Sequence, residues 1–403
     1  MPLKVRLPIG GCPLTVVAGT PAPPGMSTWD AFLAAGEGRP APAAQTVADS
    51  PAFWLYTSGT TGTPKGAMHR HGSMRSTAET YAADVLGIGP DDVCYSVAKI
   101  FFAYGLGNSL TFPFSVGARA VLDRARPTPA RAASILAAHR PTLFFAGPTF
   151  YAALLTADVP ADTFSSVRLC VSAGESLPAD LYRRFTGRFG VEVLDGIGST
   201  EALHMFISNR PDSIRPGSSG LLVDGYDARL LDENGSPTPL GEIGNLWIKG
   251  DSVCAFYWNQ HAKTKNTIEG HWLRTGDKYT QDADGFYWYA GRSDDMLKVG
   301  GLWVSPVEVE NALVAHGSVL ECGVVGREDR DGLVKPMAFV VLRDGTPSSP
   351  ELAKELQQFV RERLAEYKRP RWVEFLPELP KTATGKTQRF RLRELASGQE
   401  PLA

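Results

Sequence analysis

The sequence predicts an α/β domain with partly parallel sheets and an antiparallel β subdomain, followed by a small α+β unit. Three observations predict it. Short, largely apolar runs alternate with helical stretches between residues 53 and 198. From about 218 to 291 the runs shorten and are broken by turn signals, among them Asp232-Glu233-Asn234-Gly235. Near residue 293 a polar joint and a glycine turn lead into a capped helix. Continuous apolar strands between helices imply parallel pairing with both faces covered, whereas closely spaced turns imply antiparallel hairpins.

Residues 20–50 are rich in Pro, Ala and Gly and hold one helical candidate, STWDAFLAAGE. AFWLYTSG is an apolar strand that runs into a glycine-rich loop, and HRHGSMRSTAETYAADVLG has helical spacing. The strand candidates DVCYSVA, ARAVLD, PTLFFAG, VRLCVSAGE and VEVLDGIG follow, with the helices TPARAASILAAHR and PADLYRRFTGRF between several of them. In the last part Ser305 caps a helix and Pro306 occupies its first turn. The strands VLECGVVG, KPMAFVVL and RWVEFL and the amphipathic helix SPELAKELQQFVRERLAEY complete that unit. The expected domains are 1–292 and 293–403.

With 403 residues, 43% of them apolar, two domains are the natural division. Lys and Arg number 41 against 43 Asp and Glu, a net charge of −2. So balanced a chain has no global field to recruit nucleic acid or an anionic membrane, and any anion must be bound locally. Five cysteines, Cys12, Cys94, Cys170, Cys254 and Cys322, form neither a CxxC pair nor a zinc spacing. Free thiols in a reducing compartment are expected. The start lacks a charged segment followed by a long apolar one, and no run reaches membrane-spanning length. The expectation is a soluble cytoplasmic protein, monomer or homodimer, with no nucleic-acid or membrane partner.

YTSGTTGTPKG, residues 56–66, cannot pack a core. Thr57, Ser58, Gly59, Thr60, Thr61 and Gly62 offer hydroxyls and close-approaching backbone N–H groups, and Lys65 adds a positive charge at the end. Such a run after a strand suits phosphate oxygens. It is not the Walker pattern, because Pro64 precedes the lysine and Gly66 follows it.

This run resembles the signature phosphate loop of the adenylate-forming (acyl/aryl-CoA synthetase, AMP-binding) superfamily, and further motifs agree in order over nearly all of 50–396. The resemblance implies the adenylate-forming fold, ATP and Mg²⁺. In GIGSTE, Thr200 would contact phosphate and Glu201 would hold Mg²⁺, a hard cation on a carboxylate. In SAGES, Gly174, Glu175 and Ser176 would line the adenine, with Asp195, Gly196 and Ile197 on its other side. Asp277 would accept the ribose hydroxyls, and Arg292 would lie at the ribose or phosphate. Asp294 corresponds to the interdomain hinge. Lys386, in LPKTATGKTQR, would reach the reacting carboxylate and the α-phosphate. Gly300 and Gly301 would leave room for a pantetheine arm after the small domain rotates.

KIFFAYGLGN and GIGSTEALHMFISN are similar to the benzoate–CoA ligase branch. Phe101, Ala103, Tyr104, Ile197 and His204 are the candidates for an aryl pocket, since aromatic and small residues suit a flat ring. The phosphate loop begins at residue 56, whereas family members carry it well over a hundred residues in. The first part of the family's large domain is therefore expected to be absent. The function implied is activation of a benzoate-like acid to an acyl-adenylate, with pyrophosphate release and transfer to coenzyme A. Two alternatives stand beside it: transfer to a carrier-protein phosphopantetheine, and an inactive nucleotide-binding fragment.

Overall fold

The structure, a computed structural model, describes residues 16–17, 22–58, 64–381 and 387–398. Two compact units are distinguished, Met1–Thr46 and Val47–Ala403. In the first, β1 (Val16–Val17) pairs in parallel with β2 (Ser27–Thr28), and α1 (Trp29–Gly36) follows. Thr28 caps that helix by accepting from the Ala31 N–H at 3.1 Å.

The second unit opens with an antiparallel pair, β3 (Pro51–Ser58) and β4 (Pro64–Arg70). The glycine-rich run thus joins two strands of a hairpin. Strand β4 was not expected, because Pro64-Lys65-Gly66 read as loop and His69-Arg70 as the start of the helical stretch that follows. Its Ala67, Met68 and His69 are nevertheless buried. Helix α2 (His71–Thr77) then widens into a π-helical turn, Ala78–Ala83, where the spacing predicted one continuous α-helix.

A seven-stranded sheet forms the centre of the unit. Its strands are β5 (Val93–Ser96), β6 (Arg119–Val121), β7 (Leu143–Ala146), β8 (Leu169–Ser172), β9 (Val193–Gly198), β10 (Met205–Ser208) and β11 (Leu221–Leu222). They lie in the order β11-β10-β9-β8-β7-β5-β6. Neighbours from β6 to β9 are parallel, and β10 and β11 are antiparallel. The crossovers contain α3 (Ala103–Leu106), a π-helical turn at Gly107–Thr111, α4 (Phe112–Ser115), α5 (Pro129–His139), α6 (Pro148–Thr156) and α7 (Ala179–Phe189). Every residue of β5, β7 and β8 is buried, as uninterrupted apolar runs require. Side chains alternate between two cores. Leu143, Phe145, Leu169 and Val171 join Tyr81, Phe112 and Phe206 on one side. Phe144 and Cys170 join an aromatic group of Tyr151, Phe164, Phe185 and Phe189 on the other.

The antiparallel region comprises β12 (Tyr226–Leu231), β13 (Gly244–Gly250), β14 (Phe256–Tyr257), α8 (His261–Thr267), β15 (Ile268–Glu269), β16 (Trp272–Gln281) and β17 (Tyr287–Arg292). Strands β12, β13, β16 and β15 form one sheet in that order, and β17 also pairs with β16. Strand β14 leaves this sheet and pairs with β4.

The last part begins with the hairpin β18 (Leu297–Val299) and β19 (Leu302–Val304). Gly300 (φ 57°) and Gly301 (φ 84°) make its turn, which needs positive φ at both positions. Next come α9 (Pro306–Val314), β20 (Val319–Glu328), β21 (Val334–Leu342), α10 (Pro350–Arg361), β22 (Trp372–Phe375) and α11 (Arg389–Ala396). Helices α9 and α10 pack Leu313, Leu356 and Val360 on Val324, Ala338 and Val340. Helix α11 packs Leu392 and Ala396 on the other face, with Val325, Met337 and Phe339. Cys94, Cys170, Cys254 and Cys322 are free thiols. No helix among the described residues is long and apolar enough to cross a membrane.

Candidate active site

Strand pairing brings three segments to the end of the glycine-rich run. Lys65, early on β4, lies opposite Thr57 of β3. Glu201 follows β9. The Lys65 Nζ is 2.8 Å from Glu201 Oε1, and both side chains are largely buried, 16% and 14% exposed. Tyr257 of β14 completes the group. Its hydroxyl accepts from Lys65 Nζ at 2.7 Å and donates to Glu201 Oε1 at 2.7 Å. Burial alone would raise the Glu201 carboxyl. The charge of Lys65 and the hydrogen bonds from Lys65 and Tyr257 outweigh it and hold the group below its ordinary value. Tyr257 was not anticipated from the sequence.

The main chain beneath Glu201 is held at three successive carbonyls. The His69 Nε2 lies 2.8 Å from Thr200 O, the Cys254 N–H donates to Glu201 O at 2.7 Å, and Ser252 Oγ donates to Ala202 O at 2.6 Å. A carbonyl only accepts, so Nε2 carries the proton of His69. Burial lowers the pKa of His69 and keeps it neutral. Leu203, buried in the next position, has φ 66°, a left-handed conformation uncommon for a leucine. Thr200 itself is partly buried.

The residues expected at adenine and ribose follow β8 or lie on β9, β16 and β17. Gly174 follows β8 with φ 97°. Glu175 Oε2 accepts from Thr149 Oγ1 at 3.2 Å, and Ser176 is partly buried. A side chain on Gly196 would meet Ile207 O at 2.7 Å and Met205 Sδ at 2.8 Å. Asp277 and Arg292 face each other across β16 and β17, with Arg292 Nη1 2.9 Å from Asp277 Oδ1. The Asp195 carboxylate accepts from the Leu177 N–H at 3.1 Å, and its other oxygen is buried without a hydrogen bond.

Burial pushes the Asp195 carboxyl from an ordinary 3.8 up to about 7. Between those values the folded state holds a proton that the unfolded state has released. The Asp195 contribution to stability is therefore full at acid pH and falls as pH rises toward 7. Denaturant titrations from pH 4 to 8 should show that fall, and Asp195→Asn should remove it.

Of the aryl-pocket candidates, Tyr104 and His204 come together, with ring centroids 5.5 Å apart. His204 also packs on Tyr81 at 5.1 Å and Phe112 at 4.5 Å, and its Nε2 lies 3.1 Å from Asn108 Oδ1. The Tyr104 hydroxyl donates to Val171 O at 2.9 Å. Ala103 and Ile197 are partly buried, and Ile197 packs against the same core. Gly107 lies directly under the imidazole, since a Cβ there would be 2.5 Å from His204 Cδ2. Phe101 differs from the expectation. Its ring is 66% exposed and packs on Phe102 at 4.5 Å, apart from the Tyr104–His204 group. The helix begins at Ala103, so Phe101 sits in the preceding turn with its side chain directed outward.

Gly59, Thr60, Thr61, Gly62 and Lys386 lie outside the described residues, as does the Ser58 side chain. Asp294 is exposed in the turn between β17 and β18. Around Gly300 and Gly301 a Cβ would meet nothing within 4 Å, so the turn conformation and not crowding calls for glycine.

A family model described as AMP-binding enzyme matches residues 10–258, and one described as AMP-binding enzyme C-terminal domain matches residues 308–386. The chain is 54% identical over 353 residues to the benzoate–CoA ligase of Thauera aromatica, covering 87% of this chain and 67% of the relative. Its fold is similar to that of a benzoate CoA ligase from Burkholderia xenovorans LB400, with TM-score 0.83 and 52% identity over 88% of this chain and 71% of that one. It is similar also to the anthranilate CoA ligase AuaEII solved in complex with anthranoyl-AMP, with TM-score 0.84 and 46% identity over 89% and 70%.

Proposed function

The chain belongs to the AMP-binding enzymes, and on that footing we propose that it activates a benzoate-like aromatic acid with ATP and passes the acyl group to coenzyme A. The observation that carries this reading is the meeting of Lys65 and Glu201 at 2.8 Å beside the glycine-rich run. The names of the relatives support it, as does the anthranoyl-AMP held by one of them, an acyl-adenylate of the kind the first step would form. Because those relatives are CoA ligases by name, a carrier-protein acceptor is not favoured.

A carboxylate and ATP are both anions, so the first task is to offset their repulsion. Lys65 and the backbone around residues 57–62 would cradle the β- and γ-phosphates, and Lys386 would approach the attacking carboxylate and the α-phosphate. Asp277, already oriented by Arg292, would accept the ribose hydroxyls. Asp195, Gly196, Ile197, Gly174, Glu175 and Ser176 would enclose the adenine. Holding both reactants in line removes the entropic cost of their encounter.

The donors present suit Mg²⁺. Glu201 is an ionised, hard oxygen donor, Thr200 precedes it in the chain, and no group of three or more His, Cys, Asp or Glu converges among the described residues. Such a site holds a cation jointly with phosphate oxygens, as Mg²⁺ prefers. When bound, the ion supplies charge neutralisation at the phosphates.

Ala103, Tyr104, Ile197 and His204 would face the aryl ring. Burial lowers the His204 imidazole to about 3, so it stays neutral and serves as wall and dipole. Adenylation needs an ionised acid and no proton abstraction, which fits. Gly107→Ala would force that imidazole to shift. The benzoate KM should rise by about tenfold, in the range that overpacking costs, with the ATP KM unchanged. Steady-state kinetics with each substrate varied will check this. For the second step, residues 293–403 would turn about Asp294 against 1–292, taking Lys386 away and bringing Gly300 and Gly301 beside the thiol.

The test is product identification. Protein incubated with benzoate, ATP, Mg²⁺ and coenzyme A should form benzoyl-CoA and AMP in equal amounts. ADP in place of AMP would refute the reading.

A further inference from the structure

Lys65 and Glu201, the groups assigned above to phosphate and metal, bind each other, and the hydroxyl of Tyr257 lies between them. The direction of that bridge is fixed. An ammonium only donates and a carboxylate only accepts, so the phenol's one proton points to Glu201. The direct ion pair and the phenol bond both fall on the same oxygen, Oε1.

Tyr257 is better anchored than either partner. Its ring is buried, and the Lys65 ammonium sits over it, 4.3 Å from the centroid. Strand β14 is fastened to the strand that carries Lys65, with Tyr257 opposite Ala67 and Phe256 opposite Met68. The Trp258 N–H donates to Gly66 O at 2.8 Å, and the Tyr257 N–H donates to Thr264 Oγ1 at 3.0 Å. The phenol oxygen is thus a fixed point to which two longer, freer side chains are tethered.

We propose that Tyr257 is a positioning residue, which holds Glu201 through Oε1 in the orientation that receives the metal–nucleotide complex. When Lys65 turns to a phosphate, Tyr257 is the group still holding that oxygen. The inference rests on the proposed function, which makes Glu201 a metal ligand.

Tyr257→Phe deletes the hydroxyl and keeps the ring under Lys65. Magnesium AMP-PNP should be titrated into parent and variant by calorimetry, and the titrations repeated with AMP-PNP in EDTA. The variant should bind the magnesium complex about tenfold more weakly, as loss of one hydrogen bond to a charged group implies. The variant should remain folded, and its affinity in EDTA should match the parent's. Equal affinity for the magnesium complex, or an equal loss with and without metal, would overturn the proposal while leaving the proposed function intact. A parent protein that binds no nucleotide would overturn both.

Discussion

Glu201→Gln should leave a folded protein whose benzoate-dependent ATP–pyrophosphate exchange has fallen by about 10²–10³-fold, the usual loss when one preorganised charge is removed from a reacting centre. The amide keeps an oxygen that can accept from Lys65 and Tyr257, so the local packing survives. What is lost is the negative charge that a cation shared with phosphate requires. Glu201→Ala should behave differently. It leaves the largely buried Lys65 ammonium and the Tyr257 hydroxyl with neither the charge nor an accepting oxygen in its place. Breaking a buried pair from one side costs about 3–5 kcal/mol. The alanine variant should therefore lose both exchange and stability, and the glutamine variant mainly exchange. Exchange assays beside urea denaturation separate the two losses.

Arg389→Ala should be the most destabilising single change in the last hundred residues. Its guanidinium grips both oxygens of Glu310, with Nη2 2.9 Å from Oε2 and Nη1 on Oε1. Nη1 also donates to Val324 O at 3.1 Å, and Nε lies 3.5 Å from Asp295 Oδ2. Arg393 holds the same aspartate at 2.7 Å. Helix α11 is thereby tied to α9, to β20 and to the turn that contains Asp294. Removing Arg389 strands the Glu310 charge, only 13% exposed, at a cost of about 3–5 kcal/mol. Arg389→Lys should recover only part of this, because an ammonium cannot form the paired contact. Helix α11 starts three residues after Lys386, so exchange should fall along with stability. Thermal melts and exchange on both variants check these outcomes.

Much of the fold was legible because the strands at the centre of the main sheet are largely apolar runs. LFFA and LCVS have no reading other than a covered strand or a buried helix segment, and their length and flanking turns favoured the strand. Ser305-Pro306 and the glycine pair 300–301 marked their cap and turn by local chemistry alone. Strand β4 was not legible, since PKGAMHR has no strand composition. It is a strand because β3 and β14 pair with it on either side. The π-helical turns at 78–83 and 107–111 escaped for another reason: one extra residue in a turn barely alters apolar spacing. At the site, Lys65, Glu201, Asp277 and Arg292 stood out as charges within short motifs. Tyr257 and His69 did not, because their contacts to Glu201 and Thr200 join segments far apart in sequence. Phe101 was grouped with Tyr104 by proximity in the chain, but the helix starting at Ala103 separates their directions.

The most direct measurement is ATP–pyrophosphate exchange on this chain with Mg²⁺, with and without benzoate and without coenzyme A. Exchange should require benzoate, because adenylate formation returns label to ATP only when the acid is present. Folded protein that binds Mg-ATP yet exchanges no pyrophosphate with benzoate or its hydroxy and amino derivatives would contradict the proposed function.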